Sequence, residues 1–335
     1  MIAPSAQRGP ELVCPAGTPA GLRTAVDAGA HAIYCGYADE TNARNFPGLN
    51  FDRAEMREGI AYAHAHGAKA LVALNTFVRA GAMDIWKRGV DDAIAAGADA
   101  LILADIALIA YARQAYPKQR LHLSVQAAAA TPEAIAFYRD RFGIARVVLP
   151  RVLTVEEIAR LTAQAAPCET EVFVFGGLCV MAEGRCMLSS YATGKSPNMT
   201  GVCSPPSHVA YRDEEDALVA SVGGFTVERF SKDEPAGYPT LCKGRFLAEG
   251  NVSHLFEDPV SLNAVELLPR LAGVGVAAFK IEGRQRGRAY VATVVQTFRR
   301  AVDAMAVGGK IDVGELRALT EGQRDTTGSY KKTWR

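Results

Sequence analysis

Four cysteines, Cys179, Cys186, Cys203 and Cys242, fall within 64 positions of one another, with six, sixteen and thirty-eight residues between them. Four thiolates can hold a zinc ion or an iron-sulfur cluster. Structural zinc sites usually draw ligands in close C-x(2–4)-C pairs, and none of these gaps is that short. Clusters tolerate wide gaps. Gly176, Gly177, Gly184, Gly194 and Gly201 add turns and backbone amides beside the thiolates, which suits the negative charge on cluster sulfur. The spacing favours a cluster over zinc; the bland alternative is four small buried residues with no metal.

Residues 174–205, which carry three of the four, interrupt an otherwise regular chain. Before them, short apolar runs alternate with helical ones, the signature of a parallel α/β architecture. Strands are expected at 11–17, 33–37, 69–77, 98–105, 120–128, 145–152 and 169–178. Thr18 with Pro19 starts the first helix and Gly29 stops it. After a break of about eighty residues, which includes an acidic hairpin tip at 213–217, Ser261 caps a helix, 277–283 forms an eighth strand and 286–306 a closing helix. Eight strand-helix units predict an α/β fold of TIM-type (β/α)8 barrel class with a cysteine-rich iron-sulfur insertion between strands 7 and 8. Residues 1–178 are then the first seven units, 179–260 the cluster-binding insertion, and 261–335 the last unit with a C-terminal helical segment. An open dinucleotide sheet has no support, because no G-x-G-x-x-G follows the first strand.

Chemistry in such a barrel sits at the carboxyl ends of the strands. The polar residues there are Cys14, Cys35, Asn75, Asp105, Gln126, Arg151, Lys280, Glu282 and Arg284, with Asn42 and Arg44 in the long second loop. Several cations at one mouth suit an anionic ligand, since each Arg can grip a carboxylate with two hydrogen bonds. The plainer alternative is that Asp105 and Glu282 simply pair with them. The insertion leaves from the same end, so a metal centre in it would roof the mouth.

Composition narrows the partners. The 37 Lys and Arg balance 36 Asp and Glu, and there are only two tryptophans, so neither a nucleic acid nor a membrane surface is favoured. A local basic patch remains in IEGRQRGR. The first residues lack an apolar h-region and no run reaches the roughly 18 apolar residues of a span, so a cytoplasmic protein is expected. Seven cysteines, an odd number, fit four ligands plus three others better than disulfides. No H-E-x-x-H or G-x-S-x-G is present, and the six histidines are scattered. Cys14 or Cys35 could serve as a nucleophile, but spacing selects no histidine partner.

The runs CPAG, TNARNF, NTF, LILAD, SVQA, RVVLPR, FVFGGLCVMAEGRCMLSSY, GYPTLCKGRF and FKIEGRQR resemble the bacterial collagenase-like peptidase family. The likeness runs from Glu11 to the C-terminal TEGQRDTTGSYKKTW and is closest to the family's ubiquinone-biosynthesis branch. It implies a 4Fe-4S cluster on Cys179, Cys186, Cys203 and Cys242. It also implies oxygen-independent, anaerobic ubiquinone biosynthesis, in which the chain forms a heterodimer with a UbiV-like second iron-sulfur protein and hydroxylates the aromatic ring of the precursor. A lipid-carrier protein of that pathway is the other implied macromolecular partner. Related members hydroxylate RNA bases with prephenate as oxygen donor, so prephenate is the expected co-substrate, with Arg44, Arg151, Lys280 and Arg284 to hold its two carboxylates. The same likeness offers an RNA-base hydroxylase as the alternative, and a peptidase behind it.

Overall fold

The computed structural model describes residues 9–200, 202–309, 316–320 and 324–331, without the side chains of 199 and 200. Gly201 and parts of the C-terminal motif, 321–323 and 332–334, lie outside the described residues. Strands that are apolar on both faces can be buried only in a parallel sheet covered by helices. Seven such strands come first: β1 (Glu11–Pro15), β2 (Ala32–Cys35), β3 (Lys69–Leu74), β4 (Ala100–Leu103), β5 (Arg120–Leu123), β6 (Arg146–Val148) and β7 (Glu169–Gly177). Between them lie α1 (Pro19–Asp27), α2 (Arg53–Ala65), α3 (Met83–Ala95), α4 (Ile106–Ala115), α5 (Pro132–Phe142) and α6 (Val155–Ala165). The starts of these helices are fixed locally. Thr18 accepts from the Gly21 amide with Pro19 next in line, and Asp52 with Glu55 and Thr154 with Glu157 form reciprocal capping boxes.

The insertion opens with two short helices, α7 (Leu188–Thr193) and α8 (Pro197–Thr200), and continues as β8 (Val209–Glu214), β9 (Ala217–Val222) and β10 (Phe225–Ser231), an antiparallel sheet in the order β10-β9-β8. The acidic tip lies between β8 and β9, as expected. A hairpin of β11 (Arg245–Ala248) and β12 (Asn251–His254) follows Cys242. Residues 261–273 are not one helix capped by Ser261. Ser261 begins β13 (Ser261–Asn263), which runs antiparallel to the end of β7, and the helix is only α9 (Leu268–Gly273). Pairing Ser261 with Gly177 returns the chain to the root of the insertion it has just left.

β14 (Ala278–Ile281) then pairs in parallel with both β7 and β1 and closes an eight-stranded barrel. The closing helix is α10 (Arg288–Ala306), and a two-residue strand, β15 (Asp325–Thr326), flanks β13. Side chains alternate across each strand. Leu12, Ile33, Val72, Leu101 and Phe279 face the helices, where Trp86 and Phe298 complete the larger core. Val13, Ala32, Tyr34, Ala73, Ala100, Ile102 and Ala278 fill the inside. Among the described residues no helix is long and apolar enough to cross a membrane.

Candidate functional site

The inside of the barrel is mainly apolar on the β1–β4 side and charged across from it. Glu171 of β7, with no exposed surface, lies 2.6 Å from Lys280 Nζ and 3.3 Å from Arg146 Nη1. Above this pair the strand ends converge on a cavity of about 50 Å³ lined by Arg44, Asn75, Gln126, Arg151, Lys280, Glu282 and Arg284 together. Tyr34, Ser124 and Glu183 also line it. Sequence reasoning missed these three, although strand alternation, which turns Tyr34 inward, could have found the first.

Three other candidates lie elsewhere. Cys14 and Cys35 face the helices in the larger core with no exposure, so neither reaches the mouth. Burial pushes the Cys35 thiol up to about 12 and raises Cys14 further. Asp105 is used as the cap of α4, accepting from the Ala107 and Leu108 amides, and also accepts from the Val78 amide.

The four cations are not equivalent. Lys280 is committed to Glu171 and lies 3.8 Å from the Tyr34 ring centre. Burial lowers its pKa, and Glu171 only partly opposes that. Arg151 is held by Glu183, 3.1 Å from its Nε, by the Gly177 carbonyl, and by the Phe173 ring beneath it. Arg44 donates to the Ala43 carbonyl at 3.0 Å. Arg284 donates at 2.9 Å to Asn42 Oδ1, which is neutral, and among the described residues it pairs with no carboxylate. Burial, reinforced by Arg44, pulls its pKa down to about 10. Asn42 itself is fixed by Tyr37 and Asn50, and a Cβ at Gly36 would come within 2.6 Å of it. Glu282 accepts from the Gly177 amide at 2.8 Å and so braces the root of the insertion. Gln126 Oε1 is buried without a hydrogen-bond partner among the described residues.

A chamber of about 640 Å³ opens beyond the mouth and shares Arg44, Gln126, Arg151, Glu183 and Glu282 with it. All four clustered cysteines line this chamber, and its remaining walls include Phe46, Leu49, Leu178, Met181, Leu188 and Leu241. The loop from Cys179 to Cys186 is pressed onto the end of β5. Gly184, at φ +80°, lies so close that a Cβ would sit 2.0 Å from the Gln126 carbonyl oxygen. Asn198 donates to the Cys186 carbonyl at 3.1 Å, and Tyr238 donates to Ser204 at 2.8 Å.

None of the seven cysteines is in a disulfide. Among the described residues no three His, Cys, Asp or Glu side chains are close enough together to hold one metal ion. Four thiols spread around one chamber instead suit a multi-iron cluster, in which each thiolate binds a different iron. Burial pushes the Cys179 thiol up to about 12 and the Cys242 thiol up to about 11, so either thiol would have to give up a proton to bind a metal.

The sequence profile of peptidase family U32 matches residues 17–330. A tRNA hydroxylation protein P of Escherichia coli is 33% identical over 329 residues, covering 92% of this chain and 71% of that protein. A 23S rRNA 5-hydroxycytidine synthase of the same organism is 29% identical, covering 88% of this chain but only 39% of its own length. A collagenase of Porphyromonas gingivalis is 27% identical, covering 89% of this chain and 66% of that protein.

Proposed function

The chain belongs to peptidase family U32, and on that premise we propose that it hydroxylates an aromatic ring at a site roofed by a 4Fe-4S cluster on Cys179, Cys186, Cys203 and Cys242. The observation that carries the reading is the gathering of all four thiols around a chamber continuous with a cationic barrel mouth. When bound, the cluster would supply one-electron chemistry. The residues of the chain would do the rest. Arg284, a buried cation without a carboxylate partner among the described residues, would hold a carboxylate of an anionic co-substrate such as prephenate. Arg44 stands beside it, and Gln126 Oε1 offers an acceptor to a substrate O–H where mouth and chamber meet. The apolar walls would take the ring and keep water from it.

Two rings compete. The relatives' names, tRNA hydroxylation protein and rRNA hydroxycytidine synthase, favour an RNA base. Two features of this chain favour the ubiquinone precursor: its near-neutral charge, 37 cationic against 36 anionic residues, and the apolar chamber. RNA binding draws mainly on basic surface and stacking. We keep the ubiquinone precursor as substrate, with a UbiV-like iron-sulfur partner in a heterodimer and the precursor delivered by a lipid-carrier protein, and RNA-base hydroxylation as the second reading. Peptide cleavage is disfavoured because Cys14 and Cys35 are buried away from the mouth with raised thiol pKa values.

The test is an anaerobic assay of the reconstituted protein, with and without its partner, given prephenate and either the quinone precursor or tRNA, with products read by mass spectrometry. Hydroxylated quinone ring is the expected product. Hydroxylated nucleoside without quinone product would move the substrate to RNA, and no hydroxylated product from either would sink the proposal.

A further inference from the structure

Arg151 follows β6 at the strand end and is 4% exposed, yet its contacts are not those of a residue waiting for a substrate. Its Nε lies 3.1 Å from Glu183 Oε1, and its backbone amide reaches the other oxygen of that carboxylate at 3.4 Å. One Nη1 hydrogen goes to the Gly177 carbonyl. The same nitrogen lies 3.9 Å from Cys179 Sγ, within reach of an N–H···S hydrogen bond. The Phe173 ring, 3.9 Å from the guanidinium carbon, closes the remaining face. The guanidinium is thus packed between a carboxylate, a carbonyl and an aromatic ring, which fixes its orientation. The orientation so fixed directs Nη1 at the sulfur of a proposed cluster ligand.

We infer that Arg151 is a positioning residue that sets the reduction potential of the cluster through its hydrogen bond to Cys179, with Glu183 as the counter-charge that limits the effect. The inference rests on the cluster reading and deepens it. Reduction adds one electron to the cluster and makes or breaks no bond. The added negative charge spreads onto the ligand sulfurs, where a neighbouring N–H donor and cation favour the reduced form. Glu183, lying in the Cys179–Cys186 loop, opposes this. The two side chains therefore act on the potential with opposite signs, which a purely structural brace would not do.

Arg151→Gln and Glu183→Gln are prepared anaerobically alongside the wild type. Iron and sulfide are counted, and the loaded proteins are titrated with dithionite while the reduced cluster is followed by EPR. Arg151→Gln is expected to shift the reduced-to-oxidised ratio at a fixed potential about tenfold toward the oxidised form, a midpoint lower by ~59 mV for one electron. Glu183→Gln is expected to shift it the other way. Unmoved midpoints, or shifts of the same sign, in a loaded protein overturn this inference alone. If Arg151→Gln does not load, the midpoint of Glu183→Gln decides: a rise supports the inference, and an unchanged or lower value overturns it. Loss of the cluster from both variants shows a brace and overturns it too. A wild type without iron and sulfide overturns the cluster reading and this inference together.

Discussion

Replacing Arg284 by Met separates stability from binding, because this side chain is costly to the folded protein when no anion is present. Arg284 is 7% exposed, and its pKa falls to about 10 through burial and the like charge of Arg44. That is at least two pH units below an ordinary guanidinium, or about 3 kcal/mol against the charged form. The substitution also forfeits a hydrogen bond to Asn42, worth about 1 kcal/mol, and the contact with the Tyr34 ring at 5.3 Å, worth roughly 0.5–1 kcal/mol. Asn42 Oδ1 is not orphaned, since it still accepts from the Arg44 amide at 3.0 Å. The balance is a gain of about 1 kcal/mol, or a rise of roughly 2 °C in Tm for a chain of this size. Prephenate should meanwhile lose a charge-assisted contact of about 1.5–3 kcal/mol, weakening its binding roughly 10- to 100-fold. Thermal unfolding without ligand and calorimetric binding on the anaerobic protein read the two effects. A lower Tm together with unchanged prephenate affinity would refute the reasoning.

Other substitutions probe the parts that hold this site. Gly184→Ala drives a Cβ against the Gln126 carbonyl and should lower iron content while leaving the far-UV circular dichroism of the barrel intact; full iron loading would contradict it. Glu171→Gln leaves Lys280 without its buried counter-charge, while Arg146 keeps Glu11 and Glu169, and should cost about 3–5 kcal/mol, read as a lower urea midpoint. Glu282 is buried, but Arg151 and Arg44 outweigh that burial and hold its carboxyl below the ordinary value. Its contribution is thus present above the ordinary carboxylate pKa of about 4.3 and lost as pH falls through the lower folded value. Glu282→Gln should flatten the stability profile in that acid window, and an unchanged acid slope would speak against the assignment.

The barrel was legible because parallel strands are apolar on both faces and their helices carry explicit caps, such as Thr18 and Asp52. Strand ends were read too long where a turn continued the apolar run: β5 stops at Leu123, and 125–127 form a 3₁₀ turn. Face assignment turns on single-residue parity. With Val13 inside the barrel, Cys14 must face the helices, and the pattern LVCP conceals this because both faces are apolar. Ser261 looked like a cap because Ser before an apolar run usually is one; pairing with the distant Gly177 overrode that preference. Of the insertion's strands only the hairpin tip between β8 and β9 was read; the rest lack a clear apolar face because they are short and partly exposed, as in β11 and β12, where Leu247 and Val252 face outward. The seven mouth residues were found by position alone, but their roles were not. Which cation is already committed depends on Glu171 and Glu183, partners that no spacing rule connects to Lys280 and Arg151.

The central claim is that the four clustered cysteines, and only those four, hold a 4Fe-4S cluster over the barrel mouth. Iron and acid-labile sulfide counts on the anaerobically purified protein and its seven single Cys→Ala variants test it most directly. About four of each per chain are expected in the wild type and in Cys14→Ala, Cys35→Ala and Cys168→Ala, with loss in Cys179→Ala, Cys186→Ala, Cys203→Ala and Cys242→Ala. Zinc in place of iron, or an iron content indifferent to which cysteine is removed, would contradict it.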